Sequence, residues 1–218
     1  MNVNLCFHGI GSCTSEREPG EARYWVPTDT FQRILDEVSD HPRVRLSFDD
    51  GNRSDADIAL PALAERGLYA TFFALAGRLD DPASLRAADL RALRAQGMRI
   101  GSHGWSHMPW RSLSAADARR EFHDARDALS EASEGVVDRA AFPLGRYDRQ
   151  SVSGLRRAGY RVVYTSDRFP ARPRAWFQAR YSVTAADSVE SVRRLLTQGP
   201  GVREGRNLAA SMIKRARR

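Results

Sequence analysis

Short apolar runs alternate with longer amphipathic stretches down most of the chain, and this alternation constrains the fold more than any other feature. The apolar runs read as strands at Val3–His8, Val44–Phe48, Ala70–Ala74, Met98–Ser102, Ala140–Phe142, Arg161–Thr165 and Trp176–Val183. The stretches between them read as helices at Thr28–Val38, Asp55–Arg66, Ser84–Gln96, Ser114–Ser133, Asp148–Ala158 and Ser188–Thr197. In the first helix Phe31, Ile34, Leu35 and Val38 recur at helical spacing and form one apolar stripe. Gly67, Gly97 and Gly159 each stand between a helix and the next strand, where glycine ends a helix in the left-handed conformation at little steric cost. Repeated strand–helix alternation implies a parallel sheet, open or closed into a barrel. In such sheets ligands gather at the C-terminal strand ends, so the polar residues there carry the functional argument.

With 218 residues, 42% of them hydrophobic, the chain suffices for one substantial core, and we expect a single domain over residues 1–218. The formal net charge is +7. Its arginines are scattered over the helices and concentrated at the C-terminus, where residues 200–218 read as a basic tail. No nucleic-acid-binding motif accompanies the charge; a solvated surface is the simpler reading, and no nucleic-acid partner is expected. Cys6 and Cys13 form neither a CxxC pair nor a disulfide framework. The N-terminus lacks the ordered regions of a signal peptide and no apolar run is long enough to span a bilayer, so the expected compartment is cytoplasmic.

Three strand ends carry candidate chemistry. Val44–Phe48 runs into Asp49-Asp50-Gly51. Two adjacent carboxylates disfavour joint ionisation if buried, a cost removed by a cation or by a division of roles; a turn with two solvated Asp has the same sequence. Met98–Ser102 ends in His103-Gly-Trp-Ser-His107, whose two imidazoles can grip one ion. Ala140–Phe142 is followed by Pro143-Leu144-Gly145-Arg146-Tyr147-Asp148, a tight loop able to present backbone N–H groups to an anion, with Asp148 as a helix cap in the plainer reading.

The order and spacing of Ser-Phe-Asp49-Asp50-Gly51, Gly-Ser-His103-Gly-Trp-Ser-His107 and Phe-Pro-Leu-Gly-Arg-Tyr-Asp resemble the polysaccharide deacetylases, the NodB-homology carbohydrate esterases, over residues 43–167. The resemblance implies a distorted (β/α)7 barrel. It implies a divalent metal on Asp50, His103 and His107 and a general base at Asp49. It also implies an N-acetylated glycan or sugar conjugate as substrate. Zn²⁺ suits two His and one carboxylate best, and Co²⁺, Ni²⁺ or Fe²⁺ also fit. The oxyanion and substrate groups implied are the backbone N–H of Leu144, together with Pro143, Tyr147 and, inside the two-His motif, Trp105.

The chain departs from the family pattern twice. Ala141 stands where the family carries an Arg that supports the base, and no His follows His123, although the family takes its general acid from a late Leu-x-His motif. His8, at the end of the first strand, is the expected substitute, because first and last strands are neighbours in a closed barrel. In this respect, and in Tyr24-Trp25-Val26-Pro27, the chain resembles the permuted branch, the poly-N-acetylglucosamine deacetylases with an acid His near the start. The competing readings are an inactive, binding-only member of the fold, an amidase acting on a non-sugar C–N bond, and a nucleic-acid-associated protein.

Overall fold

The computed structural model describes residues 1–217. Its main sheet is wholly parallel and has eight strands: β1 (Val3–Phe7), β4 (Val44–Asp49), β5 (Ala70–Ala74), β6 (Arg99–Ser102), β7 (Arg139–Ala141), β8 (Val162–Thr165), β9 (Phe177–Ala179) and β10 (Tyr181–Ser182). The spatial order is β10-β1-β4-β5-β6-β7-β8-β9. Only Arg180 separates β9 from β10, yet β9 pairs with β8 while β10 pairs with β1. The two are halves of one broken strand that turns the corner and closes the ring. The expected seven-stranded barrel is therefore present, distorted at its seventh strand. The two-residue strands β2 (Gly9–Ile10) and β3 (Trp25–Val26) form a separate parallel pair above the barrel.

Helices fill the crossovers. α1 (Thr28–Val38) buries the stripe Phe31, Ile34, Leu35 and Val38. A wide π turn, Asp55–Ala59, leads into α2 (Leu60–Glu65), and α3 (Ala87–Ala95) follows β5. The long stretch before β7 is α4 (Ala115–Arg119), a second π turn over Arg120–Asp124, and α5 (Ala125–Ala132). α6 (Arg149–Arg157) starts from Asp148, whose carboxylate accepts from Ser151 N at 2.8 Å, so the expected cap is real. No helix joins β8 to β9; α7 (Val189–Thr197) and α8 (Val202–Ala216) follow β10. The stretch read from sequence as a basic tail is thus a helix up to Ala216, with residue 218 outside the described residues.

The apolar core lies between the strands and the helices, while the inner face of the barrel carries polar residues such as Asn4, Ser47, Thr71 and Arg180. Leu5, Phe7, Phe31, Phe48 and Phe72 belong to its larger cluster, with Phe48 and Phe72 stacked at 4.7 Å between ring centroids. Trp110, Phe122, Phe142, Tyr147 and Val163 form a second cluster under α6. These clusters fix the strands, and hence the positions of the polar residues at their C-terminal ends.

Candidate active site

β4 delivers Asp49 and Asp50 to the mouth of the barrel, β6 delivers His103, and the loop beyond β6 delivers His107. Asp49, Asp50 and His103 are almost wholly buried. Asp50 Oδ1 lies 3.4 Å from His103 Nε2 and 3.3 Å from His107 Nε2. Each imidazole is aimed from behind. His103 Nδ1 is 2.9 Å from the Ala141 carbonyl, and His107 Nδ1 is 2.5 Å from Glu18 Oε1, which also accepts from Arg78 Nη2 at 2.7 Å. A donor bond at Nδ1 leaves Nε2 of both rings as a lone-pair donor to one point, the arrangement by which metal-ligating histidines are held. Burial pushes the pKa of His103 down to about 4, so its ring is neutral at ordinary pH.

Burial opposes ionisation of Asp50, but His8, His107 and His103 together hold its pKa below the usual value. Its Oδ1 is nevertheless buried without a hydrogen-bond partner among the described residues. An anionic oxygen left unpaired between two imidazole lone pairs is destabilising in isolation. A divalent cation removes that cost at all three atoms at once, so Asp50, His103 and His107 fit a metal centre, and their ligand atoms lie within 4.8 Å of one another.

Asp49 is engaged differently. Arg180, itself 1% exposed, grips it with two bonds, Nη1 to Oδ1 at 2.6 Å and Nη2 to Oδ2 at 2.7 Å, and reaches Ser47 Oγ at 3.0 Å. Burial alone would neutralise Asp49; the guanidinium, helped by the imidazoles, outweighs it and holds the carboxyl well below its usual range. With Ala141 in the third motif, the guanidinium facing Asp49 comes instead from Arg180, at the break in the last strand. Sequence reading missed Arg180, although a signal existed. An arginine inside the apolar run Trp176–Val183 has to be paired if that run is buried.

His8 follows β1 and lines the same cleft, about 330 Å³, with Asp49, Asp50, His103, His107 and Leu144. One of its ring nitrogens, an Asp49 oxygen and Cys6 Sγ lie within 4.8 Å of one another, and its ring packs on Tyr24 at 4.7 Å between centroids. Leu144 is half exposed on the cleft wall at φ 55°, raised there by the turn Pro143–Gly145. Pro143, the first residue of that turn, is buried and does not line the cleft, which corrects its expected substrate role. Two further expected residues are also not brought to the cleft. Tyr147 is turned into the second core cluster, donating its hydroxyl to Asp167 Oδ2 at 2.5 Å. Trp105 packs against the first cluster beside Gly77, with Arg120 over its ring. Its backbone N–H and that of Ser106 bond the carboxylate of buried Glu121, at 2.8 and 3.1 Å, and Trp110 Nε1 adds a third bond. Glu121, unremarkable in the sequence, thereby moors the loop between the two histidines.

The polysaccharide deacetylase family profile matches residues 36–163, more than half of the chain. The chain belongs to the polysaccharide deacetylase family. Among the relatives of this family member is a chitooligosaccharide deacetylase of Rhizobium leguminosarum bv. trifolii, 29% identical over 139 residues that cover 63% of the chain and 61% of the relative. A chitin deacetylase of Pestalotiopsis sp. is 30% identical over 121 residues, covering 54% of the chain and 39% of its own length. The chain thus spans about three fifths or less of these curated relatives. In fold it is similar to the Streptococcus pyogenes deacetylase PplD, with a TM-score of 0.78, 20% identity and coverage of 90% of this chain and 98% of that one. It is similar in the same sense to IcaB from Ammonifex degensii, with a TM-score of 0.75, 23% identity and coverage of 90% and 97%. No helix among the described residues is long and apolar enough to cross a membrane.

Proposed function

We propose that this family member hydrolyses N-acetyl groups on a sugar, oligosaccharide or polysaccharide, with a divalent metal held by Asp50, His103 and His107. The observation that carries the reading is the unpaired Asp50 Oδ1, set between two Nε2 atoms and beside a second carboxylate that is already ion-paired with Arg180. When bound, the ion supplies Lewis acidity to a carbonyl oxygen and lowers the pKa of water. Two His and one carboxylate favour Zn²⁺, with Co²⁺, Ni²⁺ and Fe²⁺ compatible.

The remaining chemistry belongs to the chain. Asp49, kept ionised and oriented by Arg180, accepts the proton of the attacking water. The backbone N–H of Leu144, at the exposed apex of its turn, donates to the oxygen that gains charge. An amine is a poor leaving group until protonated, and His8 on the cleft wall is the donor. This gives the first strand the acid of the permuted branch. Arg180 supports the catalytic reading over the binding-only one, since it restores the charge partner of the base that Ala141 lacks.

The test is a deacetylation assay over acetylated monosaccharides, chitooligosaccharides and carrier-linked sugars, with and without chelator. We expect acetate release that chelation stops and Zn²⁺ or Co²⁺ restores. Metal uptake with no release from any substrate would favour the binding-only reading. His8→Ala should lower amide turnover about 10²–10⁴-fold while metal content is unchanged, and an activated ester should lose less.

A further inference from the structure

Helix α8 is built inside out. Its inward residues are polar. Asn207 Nδ2 donates to the Arg168 carbonyl at 3.0 Å, and Ser211 Oγ lies 2.9 Å from the Tyr147 hydroxyl. Lys214 Nζ reaches Asp167 Oδ1 at 2.6 Å and the Gly145 carbonyl at 3.1 Å. Ser211 is the one buried residue of the helix. Its apolar residues face solvent instead: Val202 is 76% exposed, Met212 59%, Ile213 61% and Leu208 43%. At 3.6 residues per turn, Leu208, Met212, Ala209, Val202 and Ile213 fall on one continuous arc that runs from Leu208, on the flank of Ser211, round to Val202 and Ile213 on its far side. A helix that packs on its own domain ordinarily turns that stripe inward.

The charge beside the arc is of one sign. Arg206 and Arg203 follow Ile213 around the helix and Arg217 stands just past its end, and among the described residues none of the three has a carboxylate within 4.0 Å. The acidic residue of the helix, Glu204, is spent on its own first turn, accepting from Gly201 N at 3.0 Å. An exposed apolar arc flanked by unpaired arginines is the pattern of a helix lying in the headgroup region of an anionic bilayer. A second copy packed antiparallel through the arc fits less well, because a two-fold axis across the helices would bring the two arginine rows together.

We infer that α8 docks this protein on an anionic lipid surface, its apolar arc among the acyl-chain ends and Arg203, Arg206 and Arg217 against the headgroups. The inward contacts of α8 fall on Gly145, Tyr147, Asp167 and Arg168, in the loops after β7 and β8. Docking would therefore set the mouth of the barrel beside the lipid. The inference does not depend on the hydrolytic reading, and its test involves no turnover.

The test is flotation with vesicles of phosphatidylcholine alone and with about one third phosphatidylglycerol. The wild-type chain should float with the anionic vesicles, and the combined Leu208→Ser, Met212→Ser and Ile213→Ser variant should partition at least about tenfold less. All three residues are exposed, so its thermal unfolding should match the wild type. Arg203→Gln with Arg206→Gln should bring flotation close to the level on phosphatidylcholine. Flotation that survives loss of the apolar arc would reduce the effect to the general basic charge and overturn the inference. So would absence of flotation, or a wild-type dimer that the serine variant dissociates.

Discussion

Asp50, His107 and Leu144 all hold a left-handed backbone, with φ of 74°, 58° and 55°. Non-glycine residues rarely adopt this region, and each occurrence costs on the order of 1 kcal/mol unless the surroundings enforce it. Two of the proposed metal ligands and the proposed oxyanion donor are thus set by strain that the barrel sustains. At Asp50 the strain and the ligand can be separated. Asp50→Ala and Asp50→Gly should both lose metal affinity, but the glycine variant should be the more stable by roughly 1 kcal/mol. Equal unfolding midpoints would show that the left-handed turn is not strained. Asp49→Asn should keep the metal and lose turnover, and equal metal loss from both carboxylate positions would refute the division of labour between them.

At the scale of elements, the boundaries of α1 and β5 coincide with the apolar periodicity, because each element buries the stripe that its spacing describes. Gly67, Gly97 and Gly159 hold φ of 60°, 78° and 82°, as a helix-ending role requires. Metal-ligand candidates were legible for the same local reason, each lying within a few residues of a strand end. What was not legible was contact between distant segments. Arg180 and Glu18 act through partners 131 and 89 positions away, Glu121 acts across a loop, and the outward stripe of α8 reads as a solvated tail because its charge masks its period. Tyr147 misled in the opposite way, since a tyrosine beside the motif is equally a core residue when a buried acceptor awaits its hydroxyl.

Tyr160 shows how these junctions can be probed by pH. It lies just ahead of β8, and its buried hydroxyl donates to the Phe122 carbonyl in the second π turn at 2.9 Å. Burial pushes its pKa from 10.0 up to about 12. The folded state therefore holds a proton that the unfolded chain releases above its ordinary pKa. The associated stability is intact below pH 10 and is lost as pH climbs towards 12, at about 1.4 kcal/mol per unit. Urea unfolding across that window should be less steeply pH-dependent in Tyr160→Phe, by about one proton, although the variant starts about 1 kcal/mol less stable for want of its hydrogen bond. Parallel pH profiles would mean that the phenol is not shielded.

Across the whole molecule, the buried ion pair between Arg180 and Asp49 ties the last strand to β4. Removing one member of such a pair strands the other charge, at a cost of about 3–5 kcal/mol. Arg180→Met should lower the unfolding midpoint accordingly and abolish turnover, while Arg180→Met combined with Asp49→Asn should regain much of the stability and none of the activity. If the single and double variants unfold alike, the pair is not the fastening it is taken to be.

The broken seventh strand has a consequence in time. Asp49 and its guanidinium partner are 131 positions apart along the chain. Contacts of such separation form late, since the intervening loop must first be closed. Until β9 and β10 dock on either side of the seam, Asp49 is an unsupported carboxylate with no reason to remain ionised in the interior. The onset of hydrolysis during refolding should therefore follow ring closure and lag the appearance of helix, making the first acetate released a chemical clock for completion of the fold.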